Sequence, residues 1–250
     1  ILVIGGGIAG ISAAAELSAD ARVTVLETED AIGYHSSGRS AAIFIRNYGN
    51  ATLRALNAVA EPVLKEPAGI SENSLLSPRG ELMIANEDEL EALESYLEGA
   101  EGMERISPDE AVILVPILRR EKIAAAAIER NAQDIDVDRM LQGYARLLRK
   151  RDGKIITNAP ARNITFSKGL WSVETPAGNF QAPILINAAG AWADNVAEMA
   201  DVRKVGLSPM RRSAILLPSP PDHDITNWPL FVTASEQWYA KPEAGKLFVS

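Results

Sequence analysis

Three glycines near the start of the chain are spaced to cradle a phosphate. Gly5-x-Gly7-x-x-Gly10 follows an apolar run at residues 1–4 and opens an Ala- and Leu-rich stretch at 11–18. In a strand-to-helix setting the first glycine permits a tight turn. The second lets the backbone approach a pyrophosphate, and the third allows the helix to pack on the strand. The helix N-terminus, with Ile8 and Ala9 in its first turn, offers N–H groups and a positive dipole end to the anion. Residues 22–26 are mostly apolar and β-branched, and Glu27 follows them. A carboxylate at that strand end accepts hydrogen bonds from an adenosine ribose and repels a 2′-phosphate. The pattern predicts an adenine dinucleotide without a 2′-phosphate, and leaves FAD and NAD both open.

Composition removes several other chemistries. The 250 residues include 25 Lys and Arg against 33 Asp and Glu, a net charge of −8, and the longest basic run is Arg149-Lys150-Arg151. Binding to nucleic acid needs a basic face, so no such partner is expected. Cysteine is absent, which rules out disulfides, thiolate catalysis, Cys-ligated zinc and a cysteinyl-linked cofactor. His35 and His223 are the two histidines, too few for a multi-histidine metal centre, and no metal is expected. No apolar segment approaches the roughly 18 residues of a membrane span, and the N-terminus lacks the pattern of a signal peptide. A soluble cytoplasmic location is the expectation. Both ends fall inside strand-like runs, 1–4 and 246–250, so the chain is expected to be a C-terminally truncated piece of a longer polypeptide.

The elements that must position these residues alternate along the chain. Residues 52–64 have helical apolar spacing at Leu53, Leu56, Val59, Ala60 and Val63. A strand is expected at 81–85 and an acidic helix at 87–98 with Leu90, Leu93 and Leu97 inward. Pro108-Asp109-Glu110 starts a further helical turn, and a helix at 138–151 ends before Gly153. Strands follow at 154–157, 162–166, 170–175 and 183–187, then extended segments near 214–217, 230–232, 238–241 and 246–249. The α/β pattern predicts two interleaved domains. A Rossmann-like cofactor domain takes 1–79 and 132–205, and a mostly antiparallel β substrate domain takes 80–131 and 206–250.

Two segments separate FAD from NAD by resemblance. Gly33-Tyr34-His35-Ser36-Ser37-Gly38-Arg39-Ser40-Ala41-Ala42 resembles the second flavin-contacting loop of the FAD-dependent D-amino acid oxidase/dehydrogenase superfamily. Asn187-Ala188-Ala189-Gly190-Ala191-Trp192 resembles the same family's strand-to-loop element near the flavin. Within that family, Leu75–Arg79, Val115–Arg120, Asp134–Asp136, Arg211–Ala214, Asp224–Leu230 and Trp238–Gly245 are most similar to the bacterial D-arginine dehydrogenase branch. The resemblance implies a glutathione-reductase-2-like flavoprotein fold with non-covalent FAD. It adds Thr28, Ala161, Ala189 and Gly190 to the cofactor contacts, with Ser36, Ser37, Gly38, Arg39, Ser40, Ala41 and Ala42 from the loop. His35 is expected to serve through its backbone.

The same resemblance implies the substrate residues. Arg212, chosen over its neighbour Arg211, pairs with a substrate α-carboxylate. Tyr48 sits on a mobile segment over the substrate, Tyr239 hydrogen-bonds it, and Glu81 recognises the distal cation of D-arginine or D-lysine. The implied reaction moves the Cα hydrogen as hydride to FAD and leaves an imino acid, which water converts to a 2-oxo acid and ammonia. The electron acceptor is not specified. Ile43 stands where that branch carries a histidine, and the family's second carboxylate-binding arginine and late glycine-rich flavin segment fall after Ser250. Two other readings stay open: an amine oxidase of the glycine or sarcosine type, and a flavin-binding module without catalysis.

Overall fold

A computed structural model describes residues 1–250, which divide into two compact units. The first comprises Ile1–Ser40, Pro67–Leu75 and Asp136–Met210. Its centre is a sheet of four parallel strands in the order Leu185–Asn187, Leu2–Ile4, Thr24–Leu26 and Lys154–Ile156. Alternate side chains leave opposite faces of a strand. Val3 and Val25 therefore join Ile11, Ala14, Leu141 and Leu148 beneath the helices Ile8–Leu17 and Val137–Lys150. Leu2, Ile4 and Leu26 point the other way, to Ile164, Val173 and Val196. That second face is covered by the antiparallel meander Asn163–Ser167, Leu170–Thr175 and Gly178–Ala182 and by the short helix Ala193–Met199. Burial on both faces is why the strand Leu2–Ile4 reads as an unbroken apolar run.

The second unit comprises Ala41–Glu66, Leu76–Ile135 and Arg211–Ser250. Seven strands form its main sheet, in the order Ile215–Pro218, Lys246–Val249, Tyr239–Glu243, Leu230–Thr233, Glu81–Ala85, Ala125–Glu129 and Met103–Ile106. Leu230–Thr233 runs parallel to Glu81–Ala85, and the other pairs are antiparallel. Glu81–Ala85 is buried along its whole length. Leu82 and Ile84 enter a core with Trp228, Phe231 and Leu247, while Met83 and Ala85 enter another with Leu93, Leu230 and Val232. A small antiparallel sheet joins Ile43–Phe44, Gln133–Ile135 and Leu76–Pro78.

Strand pairing sets the unit boundaries apart from those expected. Residues 41–66, 76–79 and 132–135 fall in the second unit, because Ile43–Phe44 and Leu76–Pro78 both pair with Gln133–Ile135. Residues 206–210 stay with the first. The helix Ala51–Lys65 forms as expected, but its apolar stripe is not buried. Leu53, Leu56, Val59 and Val63 are 43%, 60%, 74% and 50% exposed. Polar bonds hold this helix instead. Asn50 Oδ1 caps it through the Leu53 N–H at 3.1 Å, Arg54 Nη2 donates to the Tyr96 carbonyl at 3.1 Å, and Asn57 Nδ2 to the Ile45 carbonyl at 3.1 Å. No helix is long and apolar enough to cross a membrane.

Candidate functional site

The glycine turn in the first unit is made by backbone against backbone. Gly5 has a φ of +110°, and a Cβ there would lie 2.3 Å from the Ala188 carbonyl oxygen. A Cβ on Gly10 would lie 1.9 Å from the Gly5 carbonyl oxygen. The helix that follows starts at Gly7 without a side-chain cap, leaving N–H groups for an anion. The Ile8 N–H, expected to face that anion, instead donates to Ser37 Oγ at 2.9 Å. This bond seats the 33–40 loop on the helix start, and the Gly33 N–H donates to the Gly6 carbonyl at 3.0 Å. Glu27 is buried, with Oε2 accepting from the Gly6 N–H at 2.5 Å and Oε1 from the Glu29 N–H at 2.9 Å. Its carboxylate therefore ties the turn to the second strand, and each oxygen keeps a lone pair for a ribose hydroxyl.

A cavity of about 360 Å³ opens over this turn. Of the expected cofactor residues, Gly5, Gly7, Glu27, Thr28, His35, Ser36, Ser37, Ala161, Ala189 and Gly190 line it. Ile8, Ala9, Gly10, Gly38, Arg39 and Ser40 do not. Gly10 acts by helix-to-turn packing and Gly38 by a turn whose N–H donates to the Gly33 carbonyl at 2.7 Å. Arg39 turns back on Tyr34, donating to its carbonyl at 3.2 Å with the guanidinium 5.2 Å from the ring centre. Ala41 and Ala42 belong to the second unit, where the Ala42 carbonyl accepts from the Ile135 N–H at 2.8 Å. His35 is held through its side chain, with Nε2 2.8 Å from Glu29 Oε1 and its ring 4.6 Å from that of Trp192. Glu29, Tyr34, Pro160, Trp192, Val196 and Met199 also line the cavity. Trp192 was legible only as the end of the 187–192 motif, and Val196 and Met199 carry no local signal. The volume, the Cβ-excluding glycines and the uncapped helix start fit the adenosine diphosphate half of FAD.

In the second unit the expected substrate residues come together. The Arg212 guanidinium lies 5.0 Å over the Tyr239 ring, its Nε donating to Ser250 Oγ at 3.0 Å and Nη2 to the Glu236 carbonyl at 3.1 Å. Two anchors leave other N–H groups of the five free to meet a carboxylate. Arg211 is exposed and makes no such bonds. Tyr239 stacks on Phe248, and its strand is pinned by Lys241, whose nearly buried Nζ lies 2.8 Å from Asp134 Oδ1. Asp134 is held in turn by Arg79 at 2.6 Å. Tyr48 is half-exposed, and the neighbouring Glu236 carboxylate, partial burial, Glu81 and Tyr239 push its phenol above the ordinary tyrosine range despite Arg212 nearby. Glu236, at a φ of +54° in the turn between Leu230–Thr233 and Tyr239–Glu243, was not singled out from sequence.

Glu81 is buried, 3% exposed, with Tyr96 Oη donating to its Oε2 at 3.3 Å. Burial, then the Glu129 carboxylate directly across the strand pair, push its carboxyl up to about 8, with the Tyr96 bond acting the other way. Neither carboxylate has a cationic side-chain partner. Ile43 packs against the same core as Tyr239 and Tyr96. A separate cavity of about 530 Å³ sets Arg46, Lys65 and Arg130 against Glu61, Glu101 and Glu129, and Tyr48, Arg212 and Tyr239 do not line it.

The sequence matches the family model "FAD dependent oxidoreductase" over residues 1–250. Human mitochondrial dimethylglycine dehydrogenase is 32% identical over 95 residues, 38% of this chain and 11% of that protein. L-2-hydroxyglutarate dehydrogenase of Indibacter alkaliphilus is 23% identical over 210 residues, 80% of this chain and 52% of that one. The chain thus spans about half the length of one curated relative and about a tenth of the other. Among solved structures, L-proline dehydrogenase from P. horikoshii superposes with a TM-score of 0.83 at 21% identity, covering 99% of this chain and 68% of that one. Glycine oxidase from Geobacillus kaustophilus gives 0.77 at 19% identity, covering 99% and 69%. The chain belongs to the family of FAD-dependent oxidoreductases, and its cofactor is FAD.

Proposed function

We propose that this chain, with FAD bound non-covalently, oxidises the α-carbon of a D-amino acid whose side chain carries a cation, such as D-arginine or D-lysine. The observation that carries this reading is the grouping of Arg212, Tyr239 and Tyr48 with Glu81, a buried carboxyl that no lysine or arginine neutralises. The D configuration and the basic side chain rest on the resemblance to the D-arginine dehydrogenase branch.

Each residue then has a defined task. Arg212, anchored through Nε and Nη2, presents its remaining N–H groups to the substrate carboxylate. The Tyr239 ring beneath the guanidinium fixes the clamp's plane, and the Tyr48 hydroxyl, kept protonated by its acidic neighbours, donates a hydrogen bond to bound substrate. Glu81 meets the distal ammonium or guanidinium and ionises as that cation arrives. Bound FAD supplies the acceptor for the Cα hydride, and the amine lone pair closes the imine that water then hydrolyses. Positioning supplies most of the rate in such a site, because protein groups need only hold Cα in line and the amine neutral. No acid/base dyad is required, in keeping with Ile43 at the branch's histidine position.

The direct test is anaerobic mixing of the FAD-loaded protein with D-arginine while the flavin absorbance is followed. Bleaching by D-arginine and D-lysine, with L-arginine inert, is expected. Bleaching by glycine or sarcosine alone would keep the family chemistry and remove the cation role of Glu81. A bound flavin that no amine reduces would leave a binding module.

A further inference from the structure

Glu129 is a buried acid that the proposed chemistry does not use. It is 2% exposed and lies opposite Glu81 in the antiparallel pair of Glu81–Ala85 with Ala125–Glu129. Both of its oxygens are committed to the segment that carries Tyr48. Oε1 accepts from the Arg46 N–H at 3.1 Å and Oε2 from Asn47 Nδ2 at 2.6 Å. Asn47 is itself buried, and it clamps the 101 turn through both ends of its amide. Its Nδ2 donates to the Glu101 carbonyl at 2.9 Å, and its Oδ1 accepts from the Glu101 N–H at 2.9 Å. One carboxylate therefore touches the electrostatics of Glu81 on one side and the placement of Tyr48, one residue past Asn47, on the other.

We propose that Glu129 is a positioning residue that ties the Tyr48 segment to the strand carrying Glu81, so that a cation arriving at Glu81 and the placement of Tyr48 are coupled. The inference rests on the reading that Glu81 meets a substrate cation. A charge-assisted bond such as Asn47 Nδ2 to Glu129 is strongest when the acceptor carries full negative charge. The Arg46 N–H and Asn47 Nδ2 donors on the Glu129 carboxylate hold the segment. An incoming cation beside Glu81 ionises that group opposite the Glu129 carboxylate, and the cation, the Tyr96 hydroxyl and the Asn47 and Arg46 donors offset the added charge. Tightening of the donors on Glu129 is the response available within the strand pair. The groups facing Glu81 are Tyr96 from the Leu90–Leu97 helix, Glu129 from the neighbouring strand, Glu236 from the turn before Tyr239, and Tyr48. The Arg54 guanidinium lies 5.6 Å from the centre of the Tyr96 ring. None of these replaces Glu129, since none bonds the 46–47 backbone and side chain.

The test uses FAD-loaded protein and a non-oxidisable probe, n-butylguanidinium, with hydrogen exchange read at residues 45–50. In the parent protein the probe is expected to slow exchange there about tenfold, and the concentration needed to fall as pH rises through 8. Glu129→Gln is expected to speed basal exchange about tenfold and abolish the probe's effect. It also moves the pH dependence of probe binding downward, because the like charge beside Glu81 is gone. Asn47→Ala keeps that charge, so it should speed exchange while leaving the pH dependence of probe binding in place. That split separates positioning from a merely structural role. Unaltered exchange in both variants, or a probe effect that survives in both, would overturn the coupling. Failure of D-arginine to bleach the flavin, with these exchange results intact, would instead overturn the proposed substrate.

Discussion

The two units build their candidate sites by different means. In the first, the cradle is almost entirely backbone: glycines that admit no Cβ, an uncapped helix start, and a glutamate that bonds main-chain N–H groups. In the second, the candidate substrate site is side chain on side chain, with Arg212 over Tyr239, Tyr48 beside Glu236, and Glu81 across from Glu129. The difference teaches where each can change. A backbone cradle is fixed by local geometry and tolerates side-chain variation. A site assembled from distant strands can alter its substrate by single replacements without disturbing the sheet.

The largest effect should come from breaking the backbone cradle. Gly10→Val places a branched carbon against the Gly5 carbonyl, where even a Cβ would sit at 1.9 Å. Overpacking against main chain, more severe than the usual ~1–3 kcal/mol for core side chains, is expected to weaken FAD by about a hundredfold or more. Flavin content of the purified protein measures it. Thr28→Val, which changes a cradle side chain, should retain flavin. Equal loss in both would collapse the distinction between the units.

Next in size is the clamp. Arg212→Met removes the fork and is expected to lower kcat/KM for the substrate about a hundredfold, ~2.7 kcal/mol, with flavin content unchanged. Arg212→Lys should recover little, because a point charge cannot reproduce two parallel N–H bonds. Arg211→Met should act within about threefold, and a larger effect would exchange the roles of the two arginines.

What could be read from the sequence follows the same division. Gly5, Gly7, Gly10 and Glu27 lie within one βαβ unit, so their spacing carried both the local fold and the candidate cradle. The central strand Leu2–Ile4 was equally legible, because burial on both faces leaves an unbroken apolar run. In the second unit, Arg212, Tyr239, Tyr48 and Glu81 lie far apart in sequence, and resemblance rather than spacing pointed to them. Glu236 and Glu129 escaped notice, since an isolated glutamate looks the same whether solvated or buried. The stripe at Leu53, Leu56, Val59 and Val63 was misleading for a related reason: helical periodicity reports a face, and not what covers it. The boundary near residue 41 was missed because Ile43–Phe44 is a two-residue strand whose partner lies some ninety residues on.

The subtlest test concerns the energy held in the side-chain site. Folded Glu81 keeps its proton to about pH 8, whereas an unfolded glutamate releases it near its ordinary value of 4.5. Between those values unfolding releases a proton, so the folded state binds more protons than the unfolded one. Stability must therefore fall as pH rises through that window and level off above about 8. Glu81→Gln has no proton to lose and should remove that slope. Urea unfolding of FAD-loaded protein at pH 5, 7 and 8.5 is expected to show the variant gaining about 1–3 kcal/mol on the parent across the range. Parallel pH dependences would mean that Glu81 ionises freely where it lies, and the second unit would then store no electrostatic strain for a ligand to relieve. A difference confined to the parent would mean that it does, and a bound cation should return the missing stability to the parent and none to the variant. In the backbone-built unit the buried carboxylate, Glu27, is instead bonded by two main-chain N–H groups.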